Sequence, residues 1–478
     1  MKSAGPAYDH AVKRLPRILF RLALGSAALI VVTLGLCLSG VDYRPYLREP
    51  YYVETADRLR ASVLTNTVVQ GELAAGFGRA RLTPTVNAPA DDPANGKFRS
   101  LPLAGYGARH GKSATGTHDE LNVKAVALRV GNRLGVMIGA DALIIPPEVT
   151  AAALRRIESE LKLSREQIYL SATHTHCSLG GWGEGRVAEA FAGGFQPGAR
   201  VWFADRIVTA VRDAVADLQP ASFGDGRFAA PELVHNRLVG DLGKVDPEFS
   251  YVVLKQSTGK LAVLGSFAAH ATVLSSDMMA FSADYPGCWQ RAVEQATGGT
   301  AIFLAGGVGS HSPTPGAEGF AGAEHMGQIL AQSLLEQLPK TPLTNSITFG
   351  MLGLDLSLPQ LNVRLSDGLR LRPWLAQKLM TVKKQTFIQA FRLNNAVWIS
   401  TPCDFSGELA LGIKDFLQVR GRHAVVTSFN GDYVGYVISP RYYHLGGYEP
   451  RTMSFFGPNV PDYFDEFIRK LALELATK

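Results

Sequence analysis

Cysteine is scarce: Cys37, Cys177, Cys288 and Cys403 are the only four in 478 residues, and in a chain of this size they do not make a disulfide framework. Small buried side chains are the plain reading for Cys177 and Cys403, although each neighbours a candidate metal ligand. Charge is modest at 19%, and with 46% hydrophobic residues the composition excludes a disordered or fibrous chain. Of the net +6, residues Lys2, Lys13, Arg14, Arg17 and Arg21 less Asp9 supply +4, leaving only +2 for everything after them. No basic stripe interleaved with aromatics follows, so nucleic acid is not expected as a partner. A phosphate loop is missing too, because Gly111-Lys112-Ser113 imitates its end but Tyr106 stands where its first glycine belongs. The Gly-x-Ser-x-Gly frame is absent around Ser312, which disfavours a Ser-His-Asp lipase of the α/β-hydrolase kind. Neither an internal repeat nor a low-complexity linker divides the chain, so one large domain is expected beyond the N-terminal region.

Long apolar runs are represented once. Leu22 to Val41 is an uncharged stretch of about 20 residues, enough to cross a bilayer as a helix. It is long for a cleaved signal and lacks a clear small-x-small site before Asp42. Leu36 also stands where lipoprotein processing at Cys37 would want a small residue. The basic flank favours a cytoplasmic N-terminus. The expected division is a basic cytoplasmic tail over 1–21, a transmembrane anchor over 22–41, a juxtamembrane stalk over 42–70 and a catalytic domain over 71–478. That domain is expected on the periplasmic or extracellular side. Tyr43, Tyr46, Tyr51 and Tyr52 suit the stalk to a wet interface.

Five shorter apolar runs organise the rest, each stopping at groups that bind metal or move protons. Ile168 to Leu170 delivers Thr173-His174-Thr175-His176 to a glycine-rich turn, with the two imidazoles on one side of an extended chain. Leu261 to Ala269 ends at His270, and Thr300 to Ala305 opens into a glycine run before Ser312. Asn395 to Ser400 leads to Pro402-Cys403-Asp404, and Ala424 to Phe429 leads to Tyr433 and Tyr436. In open α/β sheets a ligand sits beyond the carboxyl ends of the strands, so five such ends can converge on one cleft. The predicted fold is α/β, a layered sheet core flanked by helices. Val123–Val130 and Leu134–Ile138 read as a hairpin around Gly131-Asn132. Apolar spacing predicts helices over Glu148–Leu161, Ala199–Leu218, Ala321–Leu338 and Tyr463–Ala476, with another beginning at Asp284-Tyr285-Pro286. Thr341 to Arg392 carries no chemical signature.

Each candidate has a plain alternative. His270 alone reads as a satisfied polar residue, Asp404 as an N-cap for the helix over Ser406–Phe416, Ser312 as a loop serine, and Tyr436 and Tyr448 as ordinary aromatics. The glycines before Ser312 could instead aim backbone N–H groups at a developing oxyanion. Two histidines and a carboxylate with one position left open suit zinc.

Several short motifs in one order resemble the neutral, non-lysosomal ceramidases: Thr173 to His176 with Gly180-Gly181, Asn236-Arg237, Phe267 to His270, Asp284 to Gly287, Gly309 to Pro313, Gly435-Tyr436, Tyr448-Glu449 and Phe456 to Pro458. Members of that family are zinc amidases that cut the N-acyl bond of ceramide. The resemblance implies zinc ligands at His174, His270, Asp404 and Tyr436. It implies that His176, Arg237 and Tyr448 orient the amide and stabilise charge, and that Ser312 matches the family's catalytic serine. Water activated by zinc and attack by Ser312 remain two open routes. The chain departs from the family in presenting Asp404 where glutamate is usual and Cys177-Ser178-Leu179 after the histidines. It also ends soon after Pro458, without an obvious C-terminal β-sandwich domain. The expected substrate is a ceramide-like lipid in a membrane, with no protein partner evident. The alternatives are a zinc hydrolase for another N-acyl lipid or ester, and a silent lipid-binding protein that kept the fold.

Overall fold

The computed structural model of the chain describes residues 7–65, 68–380 and 382–477, with side chains from residue 19 onward except 64 and 65. Lys2, Lys13, Arg14 and Arg17, the core of the expected basic tail, lie outside the described side chains.

In chain order the main elements are α1 (Ala7–Cys37), β1 (Leu38–Gly40), α2 (Pro50–Thr65), β2 (Val68–Arg81), β3 (Asn122–Val130), β4 (Arg133–Ala140), α3 (Pro147–Leu161), β5 (Ile168–Ala172), α4 (Pro197–Ala216), β6 (Gln219–Ala229), β7 (Glu248–Gln256) and β8 (Leu261–Phe267). There follow α5 (Asp284–Thr297), β9 (Thr300–Ala305), α6 (Gly319–Gln337), β10 (Ser346–Ser357), β11 (Leu369–Leu371), α7 (Pro373–Leu379), β12 (Gln385–Leu393), β13 (Ala396–Ser400), α8 (Gly407–Gln418), β14 (His423–Thr427) and α9 (Val460–Ala476).

Twelve strands form one mixed sheet that branches at β2. The first residues of β2 pair with β10, its later residues with β3, and Ala74 and Ala75 also with β6. Three wings result, and each ends in a parallel pair: β4 with β5, β8 with β9, β13 with β14. A helix joins the members of each pair (α3, α5 and α8 respectively), as a parallel connection requires. Within each pair the two carboxyl ends therefore lie side by side, the arrangement that builds a ligand site. The fold is mixed α/β, as expected, and all five apolar runs are strands.

Local chemistry explains the elements. The β3–β4 hairpin turns at Gly131, whose φ of +58° suits a residue without Cβ. Where β2 crosses α4, a Cβ on Gly78 would lie 2.0 Å from the Ala210 carbonyl oxygen, so only glycine admits the helix so close to the strand. Apolar side chains of the wings, among them Tyr169, Phe223, Leu254, Leu304, Phe349 and Trp398, share a central core. Helices cover the outer faces: α3 and α4 on one wing, α5 and α6 on the second, α2, α8 and α9 on the third.

Two expectations about the N-terminal region change. The expected stalk packs on the domain through residues 46–55. Tyr46 and Tyr52 donate their hydroxyls to Glu466 on α9 at 2.8 and 2.7 Å, Thr55 meets Tyr463 at 2.7 Å, and Val68 already begins β2. Tyrosines suited to a wet interface thus pack against a helix of the domain instead. The apolar helix long enough to cross a membrane spans Leu19–Cys37, and none of it is buried.

Candidate metal centre

Thr173 continues β5 by donating its N–H to Ala140 at the end of β4, and the chain then turns sharply at His174, whose φ is +63°. Such a conformation costs a non-glycine residue on the order of 1–3 kcal/mol and persists where surroundings fix it. Here the ring of Phe429, just past β14, stacks on the His174 imidazole with centroids 4.0 Å apart and planes 8° apart. His174 Nδ1 lies 2.6 Å from the Leu143 carbonyl oxygen, in the loop after β4. His270, three residues past β8, places Nδ1 3.2 Å from the Val308 carbonyl oxygen, in the loop after β9. A carbonyl can only accept, so both imidazoles carry their proton on Nδ1 and turn the Nε2 lone pair inward.

Those lone pairs face each other. Nε2 of His174 is 2.9 Å from Nε2 of His270 and 3.4 Å from Nε2 of His176. Asp404, in the loop after β13, brings Oδ1 to 3.4 Å from His174 Nε2 and 3.8 Å from His270 Nε2. That oxygen is buried and has no hydrogen-bond partner, while Oδ2 accepts from the Tyr433 hydroxyl at 2.7 Å. Acceptors crowded together without a donor repel unless a cation sits among them. Tetrahedral donors about 2.0–2.1 Å from a zinc ion stand roughly 3.3–3.4 Å apart, and the four separations bracket that figure. The donor set therefore fits a divalent cation.

Burial keeps the imidazoles neutral, as ligands must be. It lowers His174 to about 3 against the opposing effect of the Leu143 carbonyl, and it drives His176 and His270 well below the usual histidine range. Burial also raises Asp404 to about 7, opposed by the Tyr433 hydrogen bond and the Arg237 charge.

The remaining candidates are distributed around this cluster. Tyr436 pairs with Asp404 across a two-residue parallel bridge, and its hydroxyl accepts from Arg237 Nη2 at 2.9 Å. The Nε of Arg237 lies 2.9 Å from Glu449. Tyr448 packs edge-on against Tyr436 with ring centroids 5.7 Å apart and is 44% exposed, at the open end of the site. Asp404 is not the N-cap of α8. Ser406 occupies that position, and the Asp404 carboxylate is turned inward.

Ser312 is placed differently. It sits opposite His235 in a short antiparallel ladder, and among the described residues no imidazole or carboxylate lies within hydrogen-bond reach of its hydroxyl. Four amides of the glycine run before it are already engaged by carbonyls. Gly306, Val308, Gly309 and His311 donate their N–H groups to the carbonyls of Phe267, Gly306, Phe405 and Val308. The run is there for packing, since a Cβ on Gly309 would stand 2.5 Å from the Asp404 carbonyl oxygen. All four cysteines are free; Cys177 and Cys403 are buried, as expected.

The cluster forms the floor of an open cleft, with His174, His176, Asp404, Tyr433 and Tyr436 at its base. Its walls are largely apolar, including Ile144, Trp182, Phe191, Met380, Val382 and Phe455. Sequence reasoning missed three participants. Tyr433 lay in a quoted motif with no signal for its carboxylate partner. Glu449 faces Arg237 across more than two hundred residues. The Leu143 carbonyl, which fixes the His174 tautomer, comes from the loop after β4, whose one carboxylate, Asp141, is taken up by Asn122 and Gln290.

Residues 92–239 match the sequence profile described as "Neutral/alkaline non-lysosomal ceramidase, N-terminal". The chain resembles the neutral/alkaline non-lysosomal ceramidases in sequence and in fold. It is 26% identical to the neutral ceramidase of Mycobacterium tuberculosis over 233 residues, 44% of this chain and 36% of that protein. Over 258 residues it is 26% identical to the neutral ceramidase of Pseudomonas aeruginosa, 50% of this chain and 36% of that protein. The matched regions thus span about a third of the length of those relatives. The crystal structure of the Pseudomonas aeruginosa neutral ceramidase superposes with a TM-score of 0.69 at 19% identity, covering 84% of this chain and 74% of that one. A ceramidase structure complexed with C2 superposes at 0.70, with 84% and 75% covered. The ceramidase-like fold thus extends well past the 92–239 match.

Proposed function

We propose that the protein is a membrane-anchored, zinc-dependent amidohydrolase that cleaves the N-acyl amide bond of ceramide-like sphingolipids to a sphingoid base and a fatty acid. One observation carries the reading: three neutral imidazoles and a carboxylate with one buried oxygen left without a hydrogen bond converge at the floor of an apolar cleft in a chain that resembles neutral ceramidases.

His174, His270 and Asp404 hold the cation as the resemblance implies, and His176, expected there to orient the amide, joins them in place of Tyr436, whose hydroxyl is bonded to Arg237 beside them. When bound, zinc lowers the pKa of a coordinated water and polarises a carbonyl, which supplies a nucleophile at neutral pH. Tyr433 fixes the Asp404 carboxylate by its hydrogen bond to Oδ2. Arg237, held by Glu449 and Tyr436, donates to the amide carbonyl oxygen as negative charge develops there. Tyr448, near the opening, orients the amide from the other side. The apolar walls bind the hydrocarbon chains and exclude bulk water from the floor. Water is favoured over Ser312 as the nucleophile because, among the described residues, no hydrogen bond joins the Ser312 hydroxyl to an imidazole or carboxylate, and the ring of His235 opposite it is bonded to Thr314. The helix over Leu19–Cys37 anchors the domain to the bilayer in which a two-chain substrate resides, with the N-terminus in the cytoplasm.

The test uses the full chain in detergent with fluorescent ceramide, N-acyl amino acids and simple esters, each with and without a chelator. Hydrolysis of ceramide that chelation abolishes is expected. Turnover confined to the other substrates would defeat the ceramide reading, and turnover indifferent to the chelator would defeat the metal.

A further inference from the structure

Residues 365–380 lacked any chemical signature in the sequence, yet they connect the membrane-length helix to the mouth of the cleft. Strand β1, directly after α1, pairs antiparallel with β11, Leu38 opposite Leu371 and Gly40 opposite Leu369. Arg372 donates its backbone N–H to the Cys37 carbonyl and its Nε to the carbonyls of Gly35 and Leu38, at 2.9 and 3.1 Å. These are the carbonyls that the end of a helix leaves without intrahelical partners. On the next stretch Val41 donates to Gly368, Arg370 Nε reaches Gly40, and the Tyr43 hydroxyl reaches Asp367. The helix end is therefore bonded to this segment, not joined by a free linker.

The same segment carries apolar side chains in the open. Leu365 is 54% exposed, Leu369 37%, Trp374 57% and Leu379 45%, next to the exposed cations Lys378, Lys383 and Lys384. Trp374 stands apart among the five tryptophans, since Trp182, Trp202, Trp289 and Trp398 are all buried. An exposed tryptophan with leucines and lysines, adjoining the end of a helix of membrane length, is the composition of a headgroup-level anchor. At its other end the segment enters the cleft wall through Leu379, Met380 and Val382.

We infer that the hairpin of β11 with α7 is a bilayer-docking surface: Trp374, Leu365 and Leu369 seat in the headgroup region of a phospholipid membrane beside the exit of α1, which turns the cleft mouth toward the lipid so that substrate enters without crossing water. The inference rests on the reading of Leu19–Cys37 as a membrane span, and its occupant is a phospholipid bilayer.

The test reconstitutes the full chain into phosphatidylcholine–phosphatidylglycerol vesicles containing brominated lipid and reads tryptophan fluorescence. Wild type is expected to be quenched by lipids brominated near the headgroup, and Trp374→Phe is expected to lose that component. Ceramide in vesicles should be hydrolysed more slowly by Trp374→Asp, whereas the same ceramide in detergent micelles should not, because Trp374 is outside the cleft. Retention of the wild-type chain in vesicles through alkaline extraction, without bromolipid quenching, would overturn docking while leaving the anchor intact. Quenching that persists in Trp374→Phe would overturn it as well, as would protection of Trp374 from both bromolipid and aqueous iodide, the sign of a second protein copy. Release of the wild-type chain by extraction would instead overturn the anchor. Quenching is independent of turnover, so failure of the ceramidase reading stays distinguishable.

Discussion

Gly105 supports the metal centre from behind, and replacing it with alanine makes a sharp prediction. Its φ is +124°, and an added Cβ would meet His176 Cβ at 2.6 Å and His176 Cα at 2.7 Å. Ordinary van der Waals contact begins at 3.4 Å, so His176 or the Gly105 backbone must move by about 0.7–0.8 Å to reach it. The backbone alone costs roughly 1–3 kcal/mol, because the conformation is unfavourable for any residue with a side chain. His176 cannot absorb the shift by changing rotamer, since the clash involves its Cα. Its Nε2 must then leave the other donors. A misplacement of that size near a reacting centre costs about a hundredfold in turnover. Gly107→Ala is the control: its Cβ would lie 3.5 Å from the nearest atom, and its φ is not in the positive region. Zinc affinity by chelator competition, turnover and melting temperature would be measured for both variants. Gly105→Ala is expected to lose affinity and turnover together, and Gly107→Ala neither. Unchanged zinc affinity in a folded Gly105→Ala protein would refute the placement of His176 at the metal.

Other predictions probe different contacts. Tyr433→Phe removes the donor to Asp404 Oδ2 and should weaken zinc binding roughly 10- to 100-fold, as loss of an outer partner of a ligand does; wild-type affinity would exclude Asp404 from the ligand set. Ser312→Ala should retain most of its turnover, because among the described residues no base is bonded to its hydroxyl, whereas loss to the background rate would establish it as the nucleophile. Glu248 accepts from His423 at 3.0 Å and from Lys414 at 3.1 Å. Burial alone would raise its pKa, but those two partners outweigh it and hold the carboxyl well below the usual 4.5. The unfolded chain thus takes up a proton near pH 4.5 that the folded protein refuses, so the stability from Glu248 is full above that pH and falls away in more acid solution. Glu248→Gln should be less stable at pH 7 by about 1–3 kcal/mol and should lose less on acidification toward pH 3. Parallel wild-type and variant pH profiles in denaturant melts would contradict this.

What the sequence makes legible follows the range of the forces involved. Apolar runs report burial of the chain that contains them, so all five runs ending in His174, His270, the glycine turn, Asp404 and Tyr436 proved to be strands. The sixth strand of the parallel pairs, β4, was recognised only as half of a hairpin. It contributes a carbonyl, and backbone groups leave no trace in residue identity. Tyr46 and Tyr52 misled for a related reason: a side chain with an apolar body and a polar tip suits a membrane surface and a domain interior equally, and only the partner, Glu466, decides. Asp404 taken alone read as a helix cap because capping is local, while the histidines beside it come from two other wings of the sheet. The stretch over Thr341–Arg392 was silent because its work is done by pairing and exposure. It supplies β10 and β12 to the sheet and the segment bonded to the membrane-length helix.

The central claim is that residues from three wings of one sheet hold a single divalent cation. Metal content of the full chain, purified without added metal, tests it most directly when wild type is compared with His270→Ala. About one zinc per wild-type chain, lost in the variant while the fold remains, is the predicted result. A wild-type protein that holds no metal yet hydrolyses ceramide at full rate would contradict the account.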